Sequence, residues 1–404
     1  LKQGKMKIRS ITYFCNPKYP LDENVLREAG EFLARAKSAY EAAGYEVQTT
    51  RLAAIPFPKL LGEKKIDDLP KLTEKLAGMI QQAGIAYASL GPALPESPRS
   101  YELIPEAIAA GENIFFGGVM AGDSRVYMSA VKACANVIVK SAPIDPNGFA
   151  NLRFAALANV RAGAPFFPAA YHEGDGPVFA IATEAAVLAV DAFAGAGMFN
   201  VKRSTLISEI EKHGRKLAGV AKTLNCKFGG IDFSLAPFPD DAHSLGGAVE
   251  KMGVPKIGLH GSLAAAALLT EAVDCADFPH TGFSGFMQPI LEDSVLAKRA
   301  AEGTLTIKDA LLYSAVCGTG LDTVPLAGDT TAEQLVPLLL DLSALALRLN
   351  KPLTARLMPV PGKKAGDATT FDFGFFANSK VMPLDAEPLS SPLDGQEILQ
   401  LKGR

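Results

Sequence analysis

The sequence predicts an α/β protein assembled from two related halves. Three observations carry this expectation. Short β-prone runs alternate with amphipathic helical stretches along the chain, the composition suits aliphatic helices packed on a sheet, and one helix–strand–turn unit occurs twice. Of the 404 residues, 48% are hydrophobic but only 8% aromatic, with no Trp, and 21% are charged. Such a chain can bury a large Ala-rich core and is not compositionally disordered.

The run 8–14 (IRSITYF) is β-prone and ends at the turn signal Asn16-Pro17. A helix over 22–43 follows, with Val25, Phe32, Leu33 and Ala36 at helical spacing and Gly44 as its stop. Residues 45–53 alternate as a strand before the breaker Pro56-Phe57-Pro58. The pattern then predicts a helix near 69–83, a strand at 86–90, a helix near 100–110 and a strand at 113–119. A helix from about 124 to 135 and a β-like stretch over 151–160 follow.

The second half reuses this grammar. Residues 35–58 (RAKSAYEAAGYEVQTTRLAAIPFP) parallel 219–240 (GVAKTLNCKFGGIDFSLAPFPD): a helix, a break, a strand, then a proline-bracketed Phe turn. A looser match sets 151–163 beside 354–366, each a strand carrying an Arg followed by a turn ending in Gly. Two half-units result, 6–198 and 199–404, either as two domains or as two half-barrels closing on each other.

Charge and cysteine content narrow the partners. The net charge is −3 and the Lys and Arg residues form no basic stripe, so a nucleic-acid partner is not expected. The apolar run 262–270 stops at Glu271 and the run from Val178 carries Glu184 and Asp191, too early to span a bilayer. No signal segment is read at the start, where residues 1–5 ahead of Met6 resemble an expression remnant or a weakly structured lead-in. Cys15, Cys134, Cys226, Cys275 and Cys317 are odd in number and lack CxxC spacing, which indicates neither a disulfide framework nor a zinc ribbon. A cytoplasmic protein is expected.

Four Gly/Pro-rich stretches fall where strands should end, the usual place for ligand loops in α/β folds. In 162–176 the triple Tyr171-His172-Glu173 puts an imidazole beside a carboxylate, a general-base pairing, against the plainer reading of a surface loop. In 228–247, Asp232 lies inside an apolar strand, where a carboxylate must be paired, ligated or in a cavity, while Asp240 and Asp241 read as caps of the next helix. In 259–300, His260 and Ser262 open one helix, while Ser284, Glu292 and Asp293 bracket another. Glu292 and Asp293 suit either a divalent cation or a helix dipole. In 314–331 an apolar strand leads to Cys317-Gly-Thr-Gly and Leu321-Asp322, and Gly328-Asp329-Thr330 caps a helix. The spacing fails the GxGxxG fingerprint, and Cys317 is a nucleophile only if its thiolate is stabilised. Arg356, Lys363 and Lys364 surround the turn at 359–362 as an anion seat, against solvated surface charge.

Taken together, IRSITYF, RFAALANVRAGAPFFPAAYH, FGGIDFSLAP, FSGFMQPILED, AVCGTGLDTVPLAGDT and RLMPVPGKKAGD resemble the uncharacterised bacterial and archaeal family known as domain of unknown function 711, over residues 7–383. The resemblance implies a ten-stranded α/β barrel of two five-stranded halves with helices outside, similar to the barrel of glycyl radical enzymes. It implies no activity. Radical chemistry is not expected, because Phe373-Gly374-Phe375-Phe376 lacks the Arg-Val that precedes the radical Gly, and Cys317 lacks the surrounding hairpin pattern.

The preferred reading is an enzyme, of lyase or hydrolase type, acting on a small polar or anionic metabolite in the barrel mouth. His172 and Asp232 are assigned to proton handling, with Cys317 as a reserve nucleophile. Glu292 and Asp322 are assigned as orienting groups or ligands of a divalent metal, and Arg356 with Lys363 as anion contacts. The alternative is a non-catalytic small-molecule sensor or regulatory subunit. A third reading is a homo-oligomer packed through Ala-rich helices such as 262–270.

Overall fold

A computed structural model describes residues 5–403. The lead-in expected over 1–5 therefore lies, apart from Lys5, outside the described residues. The strands are β1 (Lys7–Phe14), β2 (Val47–Ala53), β3 (Tyr87–Ala93), β4 (Ile114–Gly122), β5 (Arg125–Tyr127), β6 (Phe154–Ala158), β7 (Val178–Glu184), β8 (Lys227–Asp232), β9 (Gly320–Ala327), β10 (Leu353–Val360) and β11 (Ile398–Gln400). The helices are α1 (Glu23–Ala42), α2 (Phe57–Leu61), α3 (Leu69–Gln82), α4 (Arg99–Ala110), α5 (Met128–Ser141), α6 (Ala186–Ala192), α7 (Phe199–Ala221), α8 (Leu245–Lys251), α9 (Ser262–Asp274), α10 (Ser294–Glu302), α11 (Ile307–Tyr313) and α12 (Ala332–Arg348). The fold is a mixed α/β arrangement, with one large sheet and helices around it.

Nine strands follow a single hydrogen-bonded path, β8-β7-β1-β2-β3-β4-β6-β10-β9. Within it β1, β2, β3, β4 and β6 run parallel to one another. β7 with β8 and β9 with β10 are also parallel pairs. The two sets meet antiparallel, at β1–β7 and at β6–β10. The reversal of direction falls between β6 and β7, upstream of the expected 198/199 division. Both strands at the ends of the path also bond to the segment 279–290. Ile231 of β8 donates to Pro279 (2.8 Å), Thr281 donates back to Ile231 (3.1 Å), and Ile290 donates to the Asp322 carbonyl of β9 (3.0 Å).

Local chemistry explains most elements. Asp22 caps α1 through its side chain, and the apolar spacing buries Leu26, Ala29, Phe32, Leu33, Ala36 and Tyr40 against the sheet. Gly44, at φ 91°, ends it. The element order matches at the two places paired in the sequence: α1 leads to β2 and the Phe57 turn, and α7 leads to β8 and the Phe238 turn. Asp293 closes the second half, accepting from Ser244 Oγ (2.5 Å) and from the amides of Leu245, Gly246, Val295 and Leu296 (2.7–3.0 Å). It thereby caps α8 and α10 at once.

Several local expectations are corrected. The helix expected from about 124 starts at Met128, because Asp123 and Ser124 (φ 50° and 60°) turn the chain back to pair β5 with β4. Residues 149–153 form a 3₁₀ turn ahead of β6. Asp240 caps only a 3₁₀ turn, and Ser244 caps α8. No helix lies between Ser284 and Glu292: that run is extended, its polar backbone bonded to β8 and β9. Residues 314–316, ahead of Cys317, form a turn after α11 and not a strand, and Thr331 with Gln334 forms the capping box of α12.

Candidate functional site

A cavity of about 130 Å³ opens on the face of the sheet turned away from the helices, lined from β1, β2, β3, β4, β7, β8 and β10 and by the loops that follow β6, β8 and β10. Three arginines reach it. Arg9 leaves β1 where a β-bulge interrupts the pairing with β7, and Arg51 and Arg356 occupy inward positions of β2 and β10.

Two of these arginines are consumed by carboxylates. Arg9 donates to Glu184 (2.8 Å) and to Glu292 (2.6 Å). Arg356 donates to Glu292 (2.9 Å) and holds both oxygens of Asp322 (2.5 and 2.9 Å). A chain of alternating sign results: Glu184, Arg9, Glu292, Arg356, Asp322. Gln48 adds a bond to Glu184 at 2.8 Å. Burial pushes the Asp322 pKa up, against the pull of Arg356.

Arg51 differs. Among the described residues it has no carboxylate within 4.0 Å, and its one side-chain bond runs from Nε to Thr49 Oγ1 at 2.9 Å. The Thr49 hydroxyl is itself anchored, donating to the Arg9 carbonyl (2.8 Å). The guanidinium sits over the rings of Phe167 (5.1 Å) and Tyr87 (5.9 Å), and its remaining exposure faces the cavity. Burial and the neighbouring Arg9 push its pKa down to about 9, which leaves it cationic at neutral pH.

Asp232, at the end of β8, lines the same cavity. Its oxygens accept from the amides of Phe283 and Ser284 (both 2.9 Å) and from Ser234 Oγ (2.6 Å). Burial raises its pKa against these donors. The close approach needs Gly282, where a Cβ would stand 2.3 Å from Asp232 Oδ2.

The geometry therefore brings together Asp232, Glu292, Asp322 and Arg356, and keeps His172, Cys317 and Lys363 apart from them. His172 is buried in the loop after β6, its amide donating to the Ala54 carbonyl (2.9 Å) and its Nε2 without a partner. Cys317 lies in the turn between α11 and β9, where its Sγ accepts from the Gly320 amide (3.2 Å). Lys363 follows β10, its carbonyl taking the Gly328 amide (2.9 Å). The antiparallel junctions at β1–β7 and β6–β10 aim the ends of β6 and β8 in opposite directions; Phe166 and Phe167 of the loop after β6 reach the cavity, while His172 is held beside Ala54 past the end of β2 and does not line it. Nor do Glu292 and Asp322 make a cation's ligand set, since all four of their oxygens face guanidinium donors; among the described residues no group of three or more His, Cys, Asp or Glu gathers for a metal.

Burial leaves its mark on His172, lowering its pKa. With the folded value below that of the unfolded chain, its contribution to stability is present above about pH 6.5 and is lost as pH falls. Denaturant titrations between pH 7.5 and 5.5 should show a smaller loss for His172→Asn than for the parent, by at most about 1.4 kcal/mol per pH unit. Equal losses in the two proteins would remove this assignment.

Arg9, Arg51 and Glu184 were not among the residues the sequence singled out. A signal existed for Arg51: it stands six residues before Phe57, as Asp232 stands six before Phe238, so the two occupy the same place in the repeated unit. The cost of burying a lone charge in a strand, which marked Asp232, applies equally to Arg51.

A family model described as "Uncharacterised ACR (DUF711)" matches residues 1–378. A UPF0210 protein of Pyrobaculum islandicum is 31% identical over 352 residues, covering 82% of this chain and 77% of its own. The UPF0210 protein NMC1568 of Neisseria meningitidis serogroup C is 29% identical over 376 residues, covering 88% of this chain and 82% of its own. One from Oleidesulfovibrio alaskensis is 29% identical over 414 aligned residues, covering 95% and 88%. No helix among the described residues is long and apolar enough to cross a membrane. The chain belongs to the DUF711 family of uncharacterised proteins.

Proposed function

We propose that this protein binds a small organic anion in the Arg51 cavity and acts on it by acid–base chemistry, with Asp232 as the proton-handling group. The observation that carries the reading is the contrast among the three arginines: Arg9 and Arg356 are neutralised in place, and Arg51 keeps both terminal nitrogens free beside a void. A buried guanidinium with unspent donors is costly unless an acceptor arrives. Asp232 supplies the second element, a carboxylate whose burial holds its pKa above the ordinary range on the wall of the same void. In this reading the two halves, divided near residue 198, enclose the cavity as half-barrels, with segment 279–290 as the tenth stave between β8 and β9. The main-chain bonds on both sides of that segment support it.

A binding-only sensor is the second reading, favoured by one fact: Asp232, Glu292 and Asp322 all have their oxygens engaged by protein donors. Thermal-shift screening of small anions, followed by turnover assays on each stabilising compound, separates the two. A ligand at a hundred times its Kd stabilises the protein by about 2.7 kcal/mol. Arg51→Met should abolish that shift. Asp232→Asn should keep the shift and lose product formation if the protein is an enzyme. A shift without product in the parent protein establishes the sensor, and a shift that survives Arg51→Met refutes the anion site.

A further inference from the structure

We infer that the ligand is a monocarboxylate with a compact apolar body of no more than about one ring; this rests on the anion site proposed above and specifies its ligand class. The charge count comes first. The chain Glu184, Arg9, Glu292, Arg356, Asp322 carries three carboxylates and two guanidiniums, so it holds no spare positive charge, and Glu292 itself lines the void. Among the described residues, Arg51 is the one cavity arginine without a carboxylate partner. A phosphate or a dicarboxylate would bring a second negative charge into a low-dielectric space beside Glu292 with no cation left for it. A single carboxylate matches one guanidinium.

Orientation comes next. Thr49 takes the Nε proton, so Arg51 is left to present its two terminal nitrogens end-on, the fork that a planar carboxylate accepts with two parallel bonds. Phe167 and Tyr87 under and beside the guanidinium keep it from swinging toward Glu292.

The rest of the wall is mostly apolar, with Gln48, Thr183 and Ser234 as its polar points. Phe115, Phe166, Phe373 and Phe375 face the void with Ala182 and Met287. Phe375 and Phe166 also cover the other two cations, lying 5.0 Å from Arg9 and 5.6 Å from Arg356. A body bearing several hydroxyl or amino groups would find few uncommitted partners here, since Ser234 already donates to Asp232 and Thr183 to the Ser234 carbonyl (2.9 Å), which leaves the Gln48 Oε1 as a wall acceptor without a partner among the described residues. Size sets the last limit: the void of about 130 Å³ is close to the engineered cavity of about 150 Å³ that takes one benzene.

The test uses calorimetric titration of the full chain with isovalerate and benzoate as probes, against inorganic phosphate, malonate and benzyl alcohol. Isovalerate or benzoate should bind at least about tenfold more tightly than each of the other three. Arg51→Met should weaken the two monocarboxylates by about 10- to 100-fold, the span expected for charge-assisted bonds. Arg51→Lys, which keeps the charge but not the fork, should fall between. Phosphate or malonate binding as tightly as the monocarboxylates, and still through Arg51, overturns the ligand class and leaves the anion site standing. Failure of every anion to bind, or binding indifferent to Arg51, overturns both. Should neither variant fold, the ranking of the five probes on the parent protein decides.

Discussion

Arg356→Met should cost about 3–5 kcal/mol of stability, the largest single-residue loss expected in this molecule. The substitution roughly preserves length and removes the cation that Asp322 touches, its sole one among the described residues; Asp322 is fully buried and Glu292 nearly so. Two carboxylates would then share a space with Arg9 alone, bonded to only one of them. Without Arg356 the Asp322 pKa, already raised by burial, would rise further in the folded state, and the sign of the pH dependence follows. The folded variant would take up protons that the unfolded chain has released, so its deficit should shrink as pH falls from 7.5 toward 5. Arg356→Met combined with Asp322→Asn should recover part of the loss by removing one buried charge. Urea titrations at the two pH values check this. A deficit under about 1 kcal/mol that does not change with pH would sink the account of the charge chain.

The second large effect concerns Asp293. Replacement by Ala removes five hydrogen bonds at once and leaves the amides that start α8 and α10, together with the Ser244 hydroxyl, without their acceptor. Loss of one N-cap costs about 0.5–2 kcal/mol, and here two are lost in a buried place, for an expected total of about 2–4 kcal/mol. Asp293→Asn keeps one acceptor oxygen and should lose less. Amide exchange gives an independent reading: the amides of Leu245, Gly246, Val295 and Leu296 should exchange faster in the Ala variant than those of α1. Unchanged protection at those four positions contradicts the double-cap role.

Much of the fold was legible because its signals are local. Asp22 and Gly44 bracket α1, and the proline-bracketed Phe turns mark β2 and β8 as equivalents before any coordinates exist. Asp232 was legible through an energetic argument, the cost of a lone carboxylate in an apolar strand. Arg51 satisfied the same argument and was passed over, since a single Arg in a strand of mixed polarity (VQTTRLA) stands out less than an Asp among glycines and isoleucine. What no residue pattern states is the relative direction of the two halves. The antiparallel junctions at β1–β7 and β6–β10 aim the ends of β6 and β8 in opposite directions, and His172 does not line the cavity that Asp232 lines. The run from Ser284 to Glu292 misled for a related reason: bonded to a strand on each side, it shows no alternation of polar and apolar residues.

The antiparallel junctions also bear on how the chain leaves the ribosome. Of the nine strands on the path, the five made first carry β1 on one flank and β6 on the other, and their covering partners are β7 and β10. β10 is synthesised last of the nine, on the order of ten to forty seconds after β6 at ordinary elongation rates. Until then the nascent half exposes a bare row of amides and carbonyls along β6, a template for pairing with a neighbouring polysome's product. Faithful production of this protein thus depends on sheltering one unfinished border for the length of half a translation cycle.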